Sequence, residues 1–338
     1  MDTLYTARLH GYPTSNRSAM DNNITEESVL SLLIVLGSSL SLVALVFAFI
    51  TYSLFSDLRN LSGTTLMNLL SALFMTQLLY VIGVGGVMDS ELCIALASAL
   101  HYVRLCVFSW MLLMTHNMYM QYKTGLHLVP ITDTNISRNF IRYSLLGWGL
   151  PLVFLLASIL IQYCDKRGML LDTQDLRRQN CWFLDKNAFI SSLVIPGYLM
   201  ALMTFFYLFR TAVLSKYLVG FQPDNRLRDK MRRKSAIQII LFSKITIVLC
   251  ICLALATMSK LTNSDGVWIS FHIVQGLQGI FIAMLVTCNC QVLKLYTRSL
   301  KTRAIRHIPS YVGKPSTSGL NKSTSLQMLT WDPPPDIV

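Results

Sequence analysis

Seven separate stretches, each long and apolar enough to cross a bilayer, constrain this chain more than any other feature. They run over residues 29–54, 64–87, 93–120, 139–163, 187–214, 236–258 and 266–292. About 20 apolar residues in a helix cross a hydrocarbon core ~30 Å thick. Each stretch is apolar on nearly every face, and the gaps between them hold the turn and charge signals. Composition agrees: 53% of the 338 residues are hydrophobic and only 14% are charged, with a mean hydropathy of +0.49. A soluble domain carries about 25% charge, and a chain this apolar is not a disordered one. The predicted fold is an all-α membrane protein, a seven-transmembrane helix bundle.

The first stretch is too long for a secretory h-region, and no basic n-region with a small-residue cleavage site precedes it. It reads as a retained first span. With the N-terminus outside, the cytoplasmic side holds 19 Lys and Arg residues against eight on the outer side, Arg104 and Lys244 lying within spans. The positive-inside rule therefore predicts an outside N-terminus and a cytoplasmic C-terminus. The sequons at Asn16 and Asn23 then face the glycosylating lumen, while those at Asn60, Asn135 and Asn321 face the cytosol. Three regions follow: a short extracellular segment over 1–28, the bundle over 29–293 and a disordered cytoplasmic tail over 294–338.

The net charge of +12 sits between apolar stretches and in the tail, which fits anionic inner-leaflet lipid and gives no support to nucleic acid. The eight cysteines include no C-x-x-C pair and the six histidines no H-x-x-x-H, so neither a disulfide scaffold nor a metal site is expected. No cofactor is implied. Cys93 opens the third span and Cys181 sits in the outer loop between spans four and five. Both fall on the oxidising side, where a disulfide persists. A bond between them would close a loop of 88 residues and contribute about 4–5 kcal/mol by loop entropy. Cys164 is a rival partner, and two free thiols are the plain alternative.

Four short motifs then stand in order along the spans. Span three carries Phe108-Ser109-Trp110-Met111. Span four carries Leu146-Gly147-Trp148-Gly149-Leu150-Pro151. The outer loop carries Cys181-Trp182, and span seven carries Gln275-Gly276-Leu277-Gln278-Gly279-Ile280-Phe281. Together they resemble the aromatic-Ser-Trp-Met, Gly-Trp-Gly-x-Pro, Cys-Trp and Gln-Gly-x-Phe segments of secretin-type and adhesion-type (family B) G-protein-coupled receptors. The resemblance covers residues 29 to about 295. Met114 and Asn117 in span three look more similar to the methuselah-like branch than to secretin receptors. No Asp/Glu-Arg-Tyr closes span three and no Asn-Pro-x-x-Tyr closes span seven, which argues against the rhodopsin type. Span six lacks the tryptophan that the family shows near its middle. The segment of about 28 residues before span one leaves no room for the family's large ectodomains, so neither capture of a large peptide hormone nor a tethered agonist is expected.

Polar residues inside spans are costly and mark function or packing. His101, Arg104, Phe108 and Thr115 share one stripe of span three; Trp110, Met114 and Asn117 share another. Span three should therefore be enclosed by neighbours on most sides. His101 and Arg104, with Trp110, Trp182 and Gln278, are the candidates for an outer ligand cavity. For Arg104 the alternatives are snorkelling to the outer interface or pairing with a backbone carbonyl. Asn68, Asn117, Trp148, Pro151 and Gln275 are candidates for a core network, with Gln77 also able to bond between helices. Pro151 and Pro196 are expected to interrupt spans four and five.

The loop between spans five and six gathers Arg226, Arg228, Lys230, Arg232, Arg233 and Lys234. The resemblance implies a heterotrimeric G protein docking there; anchoring to anionic lipid is the simpler reading. A Ser/Thr-rich stretch and a free Val338 end the chain, which would suit a PDZ protein. The expected function is a multi-pass plasma-membrane receptor, not an enzyme, that passes an extracellular agonist's signal to a G protein by helix rearrangement. The rival readings are a seven-span enzyme or carrier, and a receptor-like scaffold that does not signal.

Overall fold

A computed structural model of the chain describes residues 17–55, 61–84, 90–124, 133–165, 189–221, 223–262, 265–289, 292, 293, 296 and 297. Seven long helices fill these ranges, and no strand occurs among the described residues. They are α1 (Arg17–Leu54), α2 (Leu61–Val84), α3 (Ser90–Lys123), α4 (Asp133–Asp165), α5 (Ile195–Gly220), α6 (Asn225–Leu261) and α7 (Asp265–Thr287). All seven are long and apolar enough to span a membrane. Several hydroxyls inside them are satisfied by their own helix: Thr76 donates to the Ala72 carbonyl, Thr204 to that of Met200 and Thr246 to that of Phe242, each at 2.8 Å. Such back-bonding lets a polar residue sit within a spanning helix without an orphaned donor.

The helices form a closed ring. α1 packs on α2 and α7, α2 on α3, α3 on α4 and α5, α5 on α6, and α6 on α7. Short gaps join α1 to α2, α2 to α3, α3 to α4, α5 to α6 and α6 to α7, and each of these pairs packs as antiparallel neighbours. α3 is the most enclosed and α4 the least. The core centres on α3, whose Trp110, Met111, Met114 and Met118 are fully buried. Small residues bring α1 and α7 together: a Cβ added at Gly279 would lie 2.7 Å from the Ser41 Cβ, closer than any side chain allows. This is how membrane helices associate when burying apolar surface brings no gain over lipid.

Three sequence expectations change. The basic run 226–234 is not a loop but the opening turns of α6. Asp224 caps that helix by accepting from the Arg226 N–H at 2.9 Å, and Arg, Lys and Met are good helix formers. Pro151 does not break span four: α4 runs through it from Asp133 to Asp165, forfeiting one backbone bond while the rest of the ladder continues. Pro196 lies at the start of α5, directly after a π-helical turn over Ile190–Val194. There the Ile195 N–H reaches back to the Ile190 carbonyl, and the wider turn makes room for the ring.

Beyond α7, the Tyr296 hydroxyl hydrogen-bonds to Thr51 Oγ1 at 2.8 Å, and its ring meets Phe55 edge-on. The chain after the last span is thus tied to the end of α1. Most of the 294–338 tail and most of the 1–28 segment lie outside the described residues.

Candidate functional site

Side chains of α2, α3, α6 and α7 converge on a small cavity of ≈ 40 Å³ between these helices. α3 contributes Arg104 and Phe108, α7 contributes Phe271, Gln275 and Gln278, α2 contributes Thr76, and α6 contributes Cys252. Leu193, from the π-helical turn before α5, completes that wall. Thr76, Arg104, Cys252, Phe271 and Gln275 lie nearer the helix ends at Val84, Ser90, Leu261 and Asp265, whereas Phe108 and Gln278 lie nearer the opposite ends of α3 and α7, so the cavity extends to the middle of the bundle. At about 1.5 Å per residue, Cys252 lies about 27 Å along α6 from Lys234.

Arg104 is buried, only 9% exposed, and faces this cavity rather than the membrane surface. Its guanidinium carbon stands 6.0 Å from the centroid of the Phe271 ring, within cation–π range. A second polar group sits beside it. Tyr80 Oη and His272 Nδ1 share a hydrogen bond of 2.5 Å, and Trp268 packs on the imidazole at 4.2 Å. His101 is also buried but does not line the cavity. Its Nε2 has no hydrogen-bond partner among the described residues.

Trp110 belongs elsewhere. It is fully buried and packs edge-on against Trp148 at 5.9 Å, on the α4 side of α3 and away from the cavity. A Cβ added at Gly147 would meet its ring at 2.4 Å, so that position is closed to every residue but glycine. Ser109 reinforces the contact by donating to the Leu146 carbonyl at 3.4 Å, and the Tyr102 hydroxyl donates to that of Trp148 at 2.9 Å. A tryptophan on a helix with two polar stripes gives no sign of which neighbour it meets; only the pairing of α3 with α4 shows it.

The core-network candidates divide. Gln275 is tied in: its carbonyl and that of Gly276 accept from Gln77 Nε2 at 3.1 and 3.0 Å. Ser41 Oγ donates to the Gly276 carbonyl at 2.5 Å and accepts from the Ile280 N–H at 3.3 Å. The hydroxyl thus sits between the two ends of one turn of α7. Asn68 bonds within its own helix, to the Thr64 carbonyl at 2.9 Å. Asn117 is buried, and its Nδ2 has no partner among the described residues.

At the opposite end, Arg226, Arg228, Lys230, Arg232, Arg233 and Lys234 are all exposed on the first turns of α6. Ser235 turns inward and hydrogen-bonds to Ser215 of α5, and Gln238 donates to Ser62 Oγ of α2 at 3.0 Å. The basic face is therefore anchored to two neighbouring helices. Cys181, Trp182 and Asn16 lie outside the described residues, as do the side chains of Cys93 and Asn23. No group of three metal-ligating side chains occurs among the described residues.

Residues 27–282 match the family model described as 7 transmembrane receptor (Secretin family). The chain belongs to the secretin family of seven-transmembrane receptors. Its curated relatives include the human adhesion G-protein coupled receptor G4, 29% identical over 65% of this chain and 7% of the relative. The rhesus macaque adhesion G protein-coupled receptor E2 is 28% identical over 87% of this chain and 36% of its own length. The zebrafish adhesion G protein-coupled receptor L4 is 29% identical over 55% of this chain and 23% of its own. The chain thus spans well under half the length of these relatives. As a secretin-family member with seven spanning helices, it is a multi-pass membrane protein.

Set on the secretin-family bundle, three of the four motifs mark close helix packing. Phe108–Met111 meets Leu146–Pro151 through Trp110 and Gly147, and Gln275–Phe281 meets α1 through Gly276, Gly279 and Ser41. The fourth, Cys181-Trp182, is not described. Sequence reasoning missed Tyr80, His272, Phe271, Thr76 and Ser41. For Tyr80, His272, Thr76 and Ser41 the one available signal is a polar group within an apolar run, which does not say which helix faces which; Phe271 carries no such signal.

Proposed function

We propose that this secretin-family chain is a cell-surface G-protein-coupled receptor. An extracellular agonist enters from the end bearing the cavity, and a heterotrimeric G protein docks on the basic face of α6. The N-terminus is then outside, as the Lys and Arg distribution favours. The observation that carries this reading is that one proline-free helix, α6, reaches from the cavity at Cys252 to the exposed cations at Arg226–Lys234. A tilt of that rod at one end has to appear at the other. An agonist works only by binding one tilt better than the other. Met114 and Asn117 support a methuselah-like placement within the family.

Replacing Arg232, Arg233 and Lys234 with glutamine in the full chain tests the transducer face. The expected result is loss of at least about tenfold in G-protein activation, equivalent to 1.4 kcal/mol of coupling, at unchanged surface level. Undiminished activation would leave the cluster as a lipid anchor alone.

A further inference from the structure

α4 and α5 both pack on α3, and α4 also meets the π-helical turn Ile190–Val194, but α4 and α5 are not packed on each other along their lengths. Between that turn and the basic end of the bundle they therefore bound a groove, with α3 as its floor. His116 of α3 stands midway along it. His116 Nδ1 and Tyr143 Oη of α4 share a hydrogen bond of 3.1 Å, and the Tyr207 ring of α5 meets the imidazole edge-on at 5.1 Å. All three side chains are only partly buried, so polar groups face whatever fills the groove. Towards the basic end, Lys123 lies two turns past His116 on the same stripe of α3, and Asn139 one turn before Tyr143 on that of α4. Arg210 lies three residues past Tyr207 on α5; all three of these polar side chains are exposed. Ser215, which hydrogen-bonds to Ser235 of α6, is about 140° round α5 from Arg210 by helical spacing. Arg210 thus stands on the side of α5 turned away from α6 and its basic run. Its guanidinium carbon is 5.5 Å from the centroid of the Phe206 ring, and its place on the helix is about 15 Å from Gly220. The spans that form the floor and walls, Ala95–Lys123, Arg138–Leu160 and Ile190–Gly220, contain no Asp or Glu, so their own charge is positive. Towards the π-helical turn the walls become apolar: Leu150, on the stripe of Tyr143, and Met203, on that of Tyr207, are exposed.

We propose that this groove binds one anionic phospholipid from the leaflet at the basic end. Its phosphate is held by Arg210 and Lys123 with a hydrogen bond from the Asn139 amide, its glycerol esters lie beside Tyr143, His116 and Tyr207, and an acyl chain runs along Leu150 and Met203. Guanidinium, ammonium, amide and phenol groups all donate hydrogen bonds to phosphate or ester oxygens. Cations, then polar rings, then apolar side chains follow one another along the groove in the order that headgroup, glycerol and acyl chain follow in a lipid. A zwitterionic phosphatidylcholine offers the same chains but brings a choline cation beside Arg210, so the groove selects by headgroup. Occupancy joins α3, α4 and α5 where α4 has least protein around it. The site is separate from the basic face of α6 and does not rest on the reading of this chain as a receptor.

The test uses the full-length protein in lipid nanodiscs made from equal amounts of phosphatidylcholine and phosphatidylglycerol with matched acyl chains. Native mass spectrometry reads which lipid stays on the protein last as the others are stripped away. The expected result is phosphatidylglycerol over phosphatidylcholine by at least about fivefold. Arg210→Gln should cut that preference at least about threefold. If that variant fails to fold, Lys123→Gln decides by the same measure. The Arg232→Gln, Arg233→Gln, Lys234→Gln triple variant should keep the preference, because those side chains lie on another face. Equal retention of the two lipids by the unaltered protein would overturn the site. A preference undiminished in Arg210→Gln, or in Lys123→Gln where that variant decides, would overturn it too, as would a preference lost in the triple variant, which would move the lipid to α6. A chain that keeps phosphatidylglycerol in this way yet never activates a G protein would sink the receptor proposal while leaving this one standing.

Discussion

Spans three and four are alike in hydropathy, at 1.5 and 1.9, yet 67% of one and only 11% of the other is buried inside the bundle. In water such a difference would follow from apolar content. Here it cannot, because lipid solvates leucine as well as a protein interior does. What separates the two is their polar and small residues. α3 carries His101, Arg104, Ser109, Thr115 and Asn117, all buried and disposed around the helix. α4 turns inward only a narrow row that includes Gly147, Pro151 and Ser158, and leaves Leu145, Val153 and Leu160 to lipid. Within a membrane, the helix with most to hide from lipid takes the centre.

The largest effect that would test this contrast is a matched pair of truncations. Met114→Ala in α3 removes a fully buried side chain and should cost about 2–5 kcal/mol. Val153→Ala in α4, 62% exposed, should stay within about 0.5 kcal/mol. Unfolding of the two variants in the same nanodiscs measures both, and equal losses would break the comparison. A second pair sharpens it inside α4 alone. Gly147→Ala drives a methyl into the Trp110 ring, whereas a Cβ at Gly149 meets nothing within 4 Å. The first should destabilise by about 1–3 kcal/mol through overpacking. The second should be neutral or slightly stabilising, because alanine is the better helix former. The smallest effect concerns the α2–α7 contact. Gln77→Leu removes two hydrogen bonds to the Gln275 and Gly276 carbonyls. At about 0.6 kcal/mol each in membrane proteins, the loss should be near 1 kcal/mol, read as a small drop in Tm with the bundle still formed.

The seven spans were legible because the requirement that lipid imposes is local: enough consecutive apolar residues, with every backbone group satisfied inside the segment. Arg104 was legible as a site residue for a related reason, since a charge within a span needs an explanation wherever it occurs. The opening turns of α6 were not legible. Arg226–Lys234 looks like a loop to any reading based on hydropathy, and its helicity comes from the Asp224 cap and good helix formers that such a reading does not weigh. Trp110 was misplaced because helical spacing assigns a residue to a stripe but not to the neighbour that the stripe faces. Ser41 and the Tyr80–His272 pair were invisible for the same reason, their partners lying 235 and 192 residues away in the chain.

The sequence alone determined the number of spans, their order and the secretin-family resemblance, because each depends on the residues of one segment at a time. Tertiary structure decided which faces meet: that Trp110 closes on Gly147, that Ser41 enters a turn of α7, and that Arg104 and two glutamines from distant spans surround one small cavity. Those outcomes depend on how close two backbones can come. Closeness is set by a missing Cβ on one helix and a hydroxyl or ring on another, a relation between segments that no single stretch of sequence contains.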